Sequence, residues 1–179
     1  MKFSAATGLA HGEPATIARA GRKKNKRQEI LKDGLPSQDY RCEEARTMDK
    51  SYAVKRSDAE WRRILTPEQY QVMRLHGTEA PGSCALLLEK RSGTFSCVGC
   101  GQPLFESKRK FESGTGWPSF NDPVKGSVDT STDESLGMVR TEVNCATCGS
   151  HLGHVFEDGP PPTHLRYCIN GVAMNFKPD

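Results

Sequence analysis

The sequence has few aromatic residues and no long hydrophobic run. Aromatic residues make up 7% of the 179 positions, and the longest aliphatic run, residues 85–88, is only one turn of helix long. A membrane-spanning helix needs about 20 predominantly apolar residues, so we expect no such helix in this chain. Charges near the N-terminus follow a weakly apolar start, the reverse of their order in a signal peptide. We therefore expect a soluble protein in the cytoplasm, with organellar targeting by the N-terminus left open.

The positive charge is concentrated in the N-terminal part of the chain. Residues 1–32 carry eight Lys or Arg against two Glu, whereas the remainder carries 17 basic and 20 acidic residues. Residues 1–55 show no sustained apolar periodicity, so we interpret them as a basic extension outside the core and residues 56–179 as the folded domain. The basic run 23–27 can contact nucleic acid or anionic lipid, but no aromatic residue is interleaved with it. A solvated tail is the favoured interpretation.

Complete internal disulfide pairing is impossible because the chain has seven cysteines. Four of them form two C-x-x-C pairs, each followed by glycine: Cys97 with Cys100, and Cys145 with Cys148. A tight turn of this kind aims two sulfurs at one ion, and four thiolates complete a tetrahedral zinc shell with no open position. The spacing predicts one structural Zn²⁺ per chain. The alternative, two unrelated thiol or redox pairs, leaves the duplicated glycine unexplained.

Turn-forming residues dominate the domain, with 17 Gly and 11 Pro in the chain. Capping patterns that begin at Ser57 and Thr66 predict two short helices at its start. From Gly82 onward, short strands alternate with turns, and residues 139–143 show the period-two pattern of a half-buried strand. An Asn-Gly pair at 170–171 between apolar segments predicts a tight hairpin. The sequence therefore predicts a mainly β domain with short N-terminal helices.

One cysteine outside the metal pairs has neighbours suited to chemistry. Alternation along a strand places Arg166 and Cys168 on the same face, where a guanidinium favours the nucleophilic thiolate. His151 and His154 face one site only if a bulge near Gly153 re-aims one of them. Taken singly, an inert core cysteine and structural histidines are the simpler interpretations. Together they indicate a cysteine nucleophile with an imidazole acid or base, and they leave the reaction open.

A Gly-rich turn at residues 111–120 carries Trp117 directly before a proline. Such a tryptophan can simply pack against the core. An exposed indole can instead form a platform for soft methyl and sulfur groups, which gives a substrate-binding alternative.

These motifs occur together in a known family. From about residue 57 to residue 176, the sequence resembles the methionine sulfoxide reductase B family, with GWPSF, both C-x-x-C pairs, HLGHVF, DGP and RYCIN in the family's order. The resemblance implies two antiparallel sheets with short N-terminal helices. It also implies an oxidoreductase that reduces the R epimer of methionine sulfoxide, in proteins or free, in protein repair under oxidative stress.

The resemblance also implies roles for particular residues. Cys168 would attack the sulfoxide sulfur and become a sulfenic acid, and Trp117 would hold the substrate methyl group with Phe156 nearby. His151 and His154 would assist protonation of the sulfoxide oxygen. The supporting residues would be Asn170 and Arg166, and the zinc ligands would be Cys97, Cys100, Cys145 and Cys148.

Regeneration is where the sequence departs from a common family pattern. Many members carry a resolving cysteine two residues before the tryptophan of GWPSF, and this chain has Thr115 there. Cys84 is our leading substitute, and Cys42 is the second candidate. The third alternative is direct attack on the sulfenic acid by thioredoxin or a small thiol. Thioredoxin is the reductant that the resemblance implies.

Two other classes of function compete with the reductase. A zinc-ribbon module with a basic tail would bind nucleic acid in a salt-dependent way that survives Cys168→Ser, but it leaves RYCIN and GWPSF without a role. A thiol redox sensor would use Cys168 and Cys84 as a switch without turning over a sulfoxide. We favour the reductase, and we expect a monomer that binds neither membrane nor nucleic acid.

Overall fold

The structure is a computed structural model that describes residues 51–179. Most of the predicted extension, with Cys42, lies outside the described residues. Val54 already belongs to the domain, because its N–H donates to the Thr147 carbonyl oxygen at 2.9 Å and its side chain packs against the core. The contacts of the domain therefore begin at least two residues before the predicted start at residue 56.

Two short helices open the domain, as the capping patterns predict. Helix α1 spans Asp58–Ile64 and α2 spans Pro67–Leu75, and each begins with a complete capping box, at Ser57 and at Thr66. Both contribute buried side chains to the core, α1 through Trp61 and α2 chiefly through its middle turn. No helix in the described part of the chain is long and apolar enough to cross a membrane.

Two antiparallel sheets form the rest of the domain, which confirms the predicted mainly β fold. The smaller sheet has the strand order β2-β1-β9 and the larger one β3-β4-β8-β7-β6-β5. The strands are β1 Gly93–Cys97, β2 Pro103–Glu106, β3 Lys110–Phe111, β4 Ser119–Phe120, β5 Val128–Asp133, β6 Arg140–Cys145, β7 His151–Phe156, β8 Arg166–Ile169 and β9 Met174–Pro178.

Aromatic side chains join the two sheets. Phe105 of β2 stacks on Phe120 of β4 with ring centroids 4.3 Å apart, and Phe95 of β1 meets the same ring edge-on at 5.0 Å. All three side chains are fully buried. Pairs of this geometry add about 0.5–1.5 kcal/mol each beyond their buried area. They fix the larger sheet, which carries Cys168, on the smaller one.

The hairpin predicted at residues 170–171 is wrong. Asn170 has φ −64°, and a short 3₁₀ helix, Gly171–Ala173, leads from β8 in the larger sheet to β9 in the smaller one. Gly171 is required by a close approach, because a Cβ there would overlap the sulfur of Cys84. Tertiary contacts to this turn therefore override the local preference of Asn-Gly for a hairpin.

Candidate active site

The four paired cysteines converge at one point between the two sheets. Sγ of Cys97 lies 3.8 Å from that of Cys148, Sγ of Cys100 lies 3.6 Å from that of Cys145, and all four sulfurs lie within 4.8 Å of one another. Sulfurs bound tetrahedrally at about 2.3 Å stand about 3.8 Å apart. A disulfide requires about 2.05 Å. The predicted donor set is therefore assembled, and its spacing fits a zinc ion.

The cysteine centre ties the two sheets together through its position in the chain. Cys97 ends β1 of the smaller sheet, and Cys145 ends β6 of the larger sheet. The turn of each pair contains a glycine in the left-handed region, with φ 77° at Gly101 and 66° at Gly149. Glycine adopts this conformation without the steric cost of a Cβ, so each turn can direct both sulfurs to one side.

Cys168 lies in the middle of β8, in a narrow cleft. Ser119 of β4 pairs with it on one side and His154 of β7 on the other. The cleft has a volume of about 140 Å³. Besides Cys168 it is lined by Thr78, Trp117, Arg140, Gly153, His154, Phe156 and Asn170. The structure thus brings the predicted nucleophile, indole and one histidine to one cleft.

Burial controls the charge of the predicted nucleophile, Cys168. It raises the pKa of the Cys168 thiol, while the Thr115 hydroxyl, 4.0 Å from Sγ, and the Arg166 guanidinium act in the opposite direction. Arg166 is held by two hydrogen bonds to Asp158, at 2.8 and 2.9 Å, and lies over the Phe156 ring. The predicted effect of Arg166 on the thiolate therefore has the right sign, but burial outweighs it.

The two predicted histidines have different positions. His154 lines the cleft, and its Nε2 lies 2.7 Å from Asp133 Oδ2. His151 is fully buried next to it, with ring centroids 5.5 Å apart, and is not among the residues that line the cleft. Burial lowers the pKa of His154, and Asp133 opposes that shift. Only His154 is placed to reach a substrate directly.

The bulge predicted near Gly153 is present. Val143 of β6 pairs with Gly153, but the next residue, Asn144, pairs with His151, which leaves Leu152 unpaired. A Cβ at Gly153 would overlap the carbonyl oxygen of Cys168. The glycine therefore lets β7 approach β8 closely, and this approach brings His154 opposite Cys168.

Asn170 and Trp117 are both held by Glu79. The Asn170 side chain accepts a hydrogen bond from the Glu79 N–H at 3.0 Å and donates one to the Leu152 carbonyl oxygen at 2.9 Å. Trp117 Nε1 donates to the Glu79 carbonyl oxygen at 3.2 Å. Because both side chains are fixed by the same residue, the indole and the amide keep a constant relation to each other across the cleft.

Glu79 is a residue of the site that no sequence pattern predicts. It is 4% exposed, and its carboxylate accepts hydrogen bonds from the backbone N–H groups of Gly171, at 2.6 Å, and Val172, at 3.0 Å. Burial raises its pKa, and these two bonds oppose the shift. A glutamate in a loop between Gly77 and Pro81 has no periodicity or spacing that would mark it. Only the folded chain, which brings residue 79 next to residue 171, reveals the contact.

Cys84 lies in the same chain segment as Glu79, residues 79–84. Its sulfur packs directly on Gly171, three residues after Cys168, and burial raises its pKa. The segment also contacts the tryptophan turn, where Gly82 N–H donates to the Gly116 carbonyl oxygen at 2.7 Å. Cys84 is therefore next to the walls of the cleft, whereas Cys42 lies outside the described residues.

Cys168 faces a histidine on the neighbouring strand and shares its cleft with the Trp117 indole. Together with the four-cysteine centre, this arrangement is typical of a thiol-dependent oxidoreductase on a β fold. The SelR domain family matches residues 65–178. A relative from Pseudomonas putida (strain W619) is 60% identical over 120 residues, covering 66% of this chain and 90% of its own length. One from Agrobacterium fabrum (strain C58) is 56% identical, covering 70% and 93%. One from Methanosarcina barkeri (strain Fusaro) is 57% identical, covering 70% and 89%.

Each of these relatives is named peptide methionine sulfoxide reductase MsrB. This chain belongs to that family, which confirms the sequence-based assignment and the enzyme class, an oxidoreductase. Among solved structures, the Mis18 'Yippee-like' domain matches 49% of this chain and 96% of its own length at 20% identity. Its TM-score of 0.40 is too low to bear on function.

Proposed function

We propose that this protein reduces the R epimer of methionine sulfoxide, in proteins and as the free amino acid, through a sulfenic acid at Cys168. The observation that carries the proposal is the position of Cys168 opposite His154, in a cleft that also contains Trp117. A cysteine nucleophile needs a proton-transfer partner within reach, and His154 is the imidazole that lines the same cleft.

The reaction transfers the sulfoxide oxygen to the enzyme. The Cys168 sulfur attacks the sulfoxide sulfur to form a transient S–S bond, and the thiol proton ends on the oxygen. The resulting hydroxyl group leaves the substrate sulfur and bonds to the Cys168 sulfur as the S–S bond breaks. The substrate sulfur gains two electrons and becomes that of methionine, and Cys168 gives up two electrons and becomes a sulfenic acid. His154, whose pKa is lowered by burial, is neutral at pH 7 and can accept the thiol proton and pass it to the oxygen.

The other residues of the cleft orient the substrate. The methyl group packs on Trp117 with Phe156 nearby, because sulfur and its methyl group make favourable contacts with aromatic rings. Asn170 supports the cleft wall through its bond to Glu79, and Arg166 favours the thiolate. His151 assists by packing against His154 instead of contacting the substrate.

Regeneration uses Cys84 as the resolving thiol. Thr115, at the position where many family members carry cysteine, is 4.0 Å from Sγ of Cys168, but a hydroxyl cannot form a disulfide. The sulfur of Cys84 packs on Gly171, close in sequence and space to the nucleophile. It would condense with the sulfenic acid to a disulfide and water, and thioredoxin would reduce that disulfide. Cys42 and direct external attack are the alternatives.

The four-cysteine centre holds structural Zn²⁺ in this proposal. Four thiolates fill a tetrahedral shell, so no position is left for substrate, and the ion contributes folding energy between the sheets. We place the enzyme in the cytoplasm as a monomer. Its expected contacts are methionine sulfoxide and thioredoxin, with no role for membrane or nucleic acid.

Single-turnover reduction of the separated R and S epimers, without added reductant, tests the proposal. We expect one methionine per enzyme from the R epimer alone, abolished by Cys168→Ser, and loss of two free thiols as the disulfide forms. Cys84→Ser should reduce that loss to one thiol, while Cys42→Ser should leave it unchanged. No methionine from either epimer, with zinc bound and the fold intact, would contradict the reductase function.

A further inference from the structure

A second cluster of metal-binding side chains lies outside the four-cysteine centre. Nδ1 of His76 and Nδ1 of His151 each lie 2.6 Å from the same oxygen, Oε1 of Glu142. The three donor atoms all lie within 4.8 Å of one another. They come from three elements: His76 follows the last residue of α2, Glu142 is on β6 and His151 is on β7. The fold, and not sequence spacing, brings them together.

The carboxylate of this cluster is prepared to act as a ligand. Its second oxygen, Oε2, accepts hydrogen bonds from Ser131 Oγ at 2.8 Å and Asn144 Nδ2 at 3.1 Å. Ligating carboxylates are commonly fixed in this way by an outer shell of donors. Oε1 therefore faces the imidazoles as an oriented acceptor.

An ion can reach this cluster and keep an open coordination position. The three residues line a cavity of about 410 Å³, whose wall also contains the acidic residues Asp133 and Glu134. The His76 side chain is 64% exposed, so it can swing aside and return. Arg140 pairs with Asp133 at 2.6 Å, so Glu134 and Glu142 supply the negative charge that attracts a cation. The exposed imidazole of His76 provides the entry.

We propose that His76, Glu142 and His151 form a regulatory site for a late first-row divalent cation such as Co²⁺ or Zn²⁺, and that its occupation slows the reductase. Two imidazoles and one carboxylate are the protein ligands of open zinc sites. Donors at about 2.0–2.2 Å from an ion stand about 3–3.5 Å apart. Both 2.6 Å separations from Oε1 must therefore widen by less than about 1 Å. The exposed His76 swings outward, and the buried ring of His151 shifts.

Metal binding at this site requires each imidazole to move its proton from one ring nitrogen to the other. Each imidazole now points Nδ1 at the carboxylate, and that nitrogen must give its proton up to bind an ion. On His151 the proton then moves to Nε2, which is buried and has no hydrogen-bond partner among the described residues. An unpartnered buried N–H has a free-energy cost that weakens binding. This cost favours weak and reversible binding of the ion, in contrast to the binding of structural zinc at the cysteine centre.

The effect on catalysis follows from the contact between the two buried rings. His151 lies 5.5 Å from His154, edge against face, and His154 forms one wall of the Cys168 cleft. A metal that fixes His151 in a new position changes the packing behind His154. This regulatory half of the inference rests on the proposed reductase function, whereas ion binding itself does not.

Titration of the zinc-loaded, full-length protein with Co²⁺ tests the site. We expect one additional equivalent, with the weak visible bands of cobalt bound by nitrogen and oxygen and without the sulfur-to-cobalt absorption of a thiolate site. His76→Asn should weaken this binding at least about tenfold, as the loss of even an outer-shell partner does. The matched control is His164→Asn, because both histidines are exposed and have left-handed backbones, with φ 54° and 58°, that asparagine accepts.

Single-turnover reduction with and without Co²⁺ gives the second readout. We expect slowing in the wild type and in His164→Asn but not in His76→Asn. Absence of the extra equivalent, or equal binding by His76→Asn, would overturn the site. Slowing that persists in His76→Asn would show that the ion acts at a thiol, and binding without slowing would overturn the regulatory half. The titration needs no substrate, so a failure of the reductase assignment cannot be mistaken for a failure of the site.

Discussion

Replacement of Glu79 should destabilise the domain more than its position in a loop suggests. In Glu79→Ala, the backbone N–H groups of Gly171 and Val172 lose their acceptor inside the protein. A buried donor left unsatisfied costs about 1–3 kcal/mol. Removal of the carboxylate also removes the cost of burying its charge, which offsets part of this loss; burial raises the pKa of Glu79 for the same reason. We therefore expect a net loss of about 2–4 kcal/mol in the free energy of unfolding.

The Gln variant sharpens this prediction. In Glu79→Gln, the amide oxygen can still accept from Gly171, but the amide nitrogen would face the Val172 N–H, donor against donor. The loss should be roughly half of that in Glu79→Ala. Both variants should also slow single-turnover reduction, because Glu79 holds Trp117 and Asn170.

Urea denaturation of the reduced, zinc-loaded protein measures these differences. The matched control is Glu112→Ala, since the Glu112 side chain is 60% exposed and has one ion pair, at 4.0 Å to Lys90. An exposed pair of this kind contributes about 0–1 kcal/mol. If Glu79→Ala were no less stable than Glu112→Ala, the carboxylate would not hold the 171–172 turn. The assignment of Glu79 as the residue that positions the cleft would then be refuted.

Three further predictions concern the thiols. Thr115→Cys in the Cys84→Ser background should restore the loss of two thiols per turnover, since residue 115 already contacts Cys168 at 4.0 Å. Continued loss of one thiol would show that residue 115 is not placed to form a disulfide with Cys168. Arg166→Met should slow alkylation of Cys168 at pH 8 by roughly threefold to tenfold, because loss of the guanidinium raises the thiol pKa further and lowers the thiolate fraction; an unchanged rate would refute a role for its charge. Cys145→Ser should abolish zinc retention and lower the thermal midpoint, whereas undiminished stability without metal would show that the centre is not structural.

The parts of the fold that the sequence predicts are those that depend on near neighbours in the chain. The capping boxes at Ser57 and Thr66 each close within three residues. Each C-x-x-C turn closes locally through the N–H of its following glycine, which donates to the carbonyl oxygen of the first cysteine at 2.8 Å. The bulge beside Gly153 could also be inferred, because two histidines three residues apart need it to reach one region. In each case a few adjacent residues determine the backbone, and a pattern is sufficient.

The predictions that failed, or were never made, depend on contacts between distant residues. The hairpin at Asn170 was wrong because Glu79, about ninety residues earlier, captures the backbone N–H groups of the turn. The cluster of His76 with Glu142 was missed for the same reason, since 66 residues separate the two. Composition and spacing carry no information about which distant segments will meet, so these contacts appear only in the fold.

Gly171 lies where the segment of the proposed nucleophile, Cys168, meets the segment of the proposed resolving thiol, Cys84. The sulfur of Cys84 packs against the Cα of Gly171, and the N–H of Gly171 donates to the Glu79 carboxylate. Gly171 follows Cys168 by three residues. A residue with a Cβ would push Cys84 away from the nucleophile, and a proline would leave Glu79 with one donor fewer. The glycine therefore permits Cys84, the proposed resolving thiol, and Glu79 to dock on the same turn. A change at this position should impair substrate reduction and disulfide formation together, which neither Cys84→Ser nor Glu79→Gln does alone.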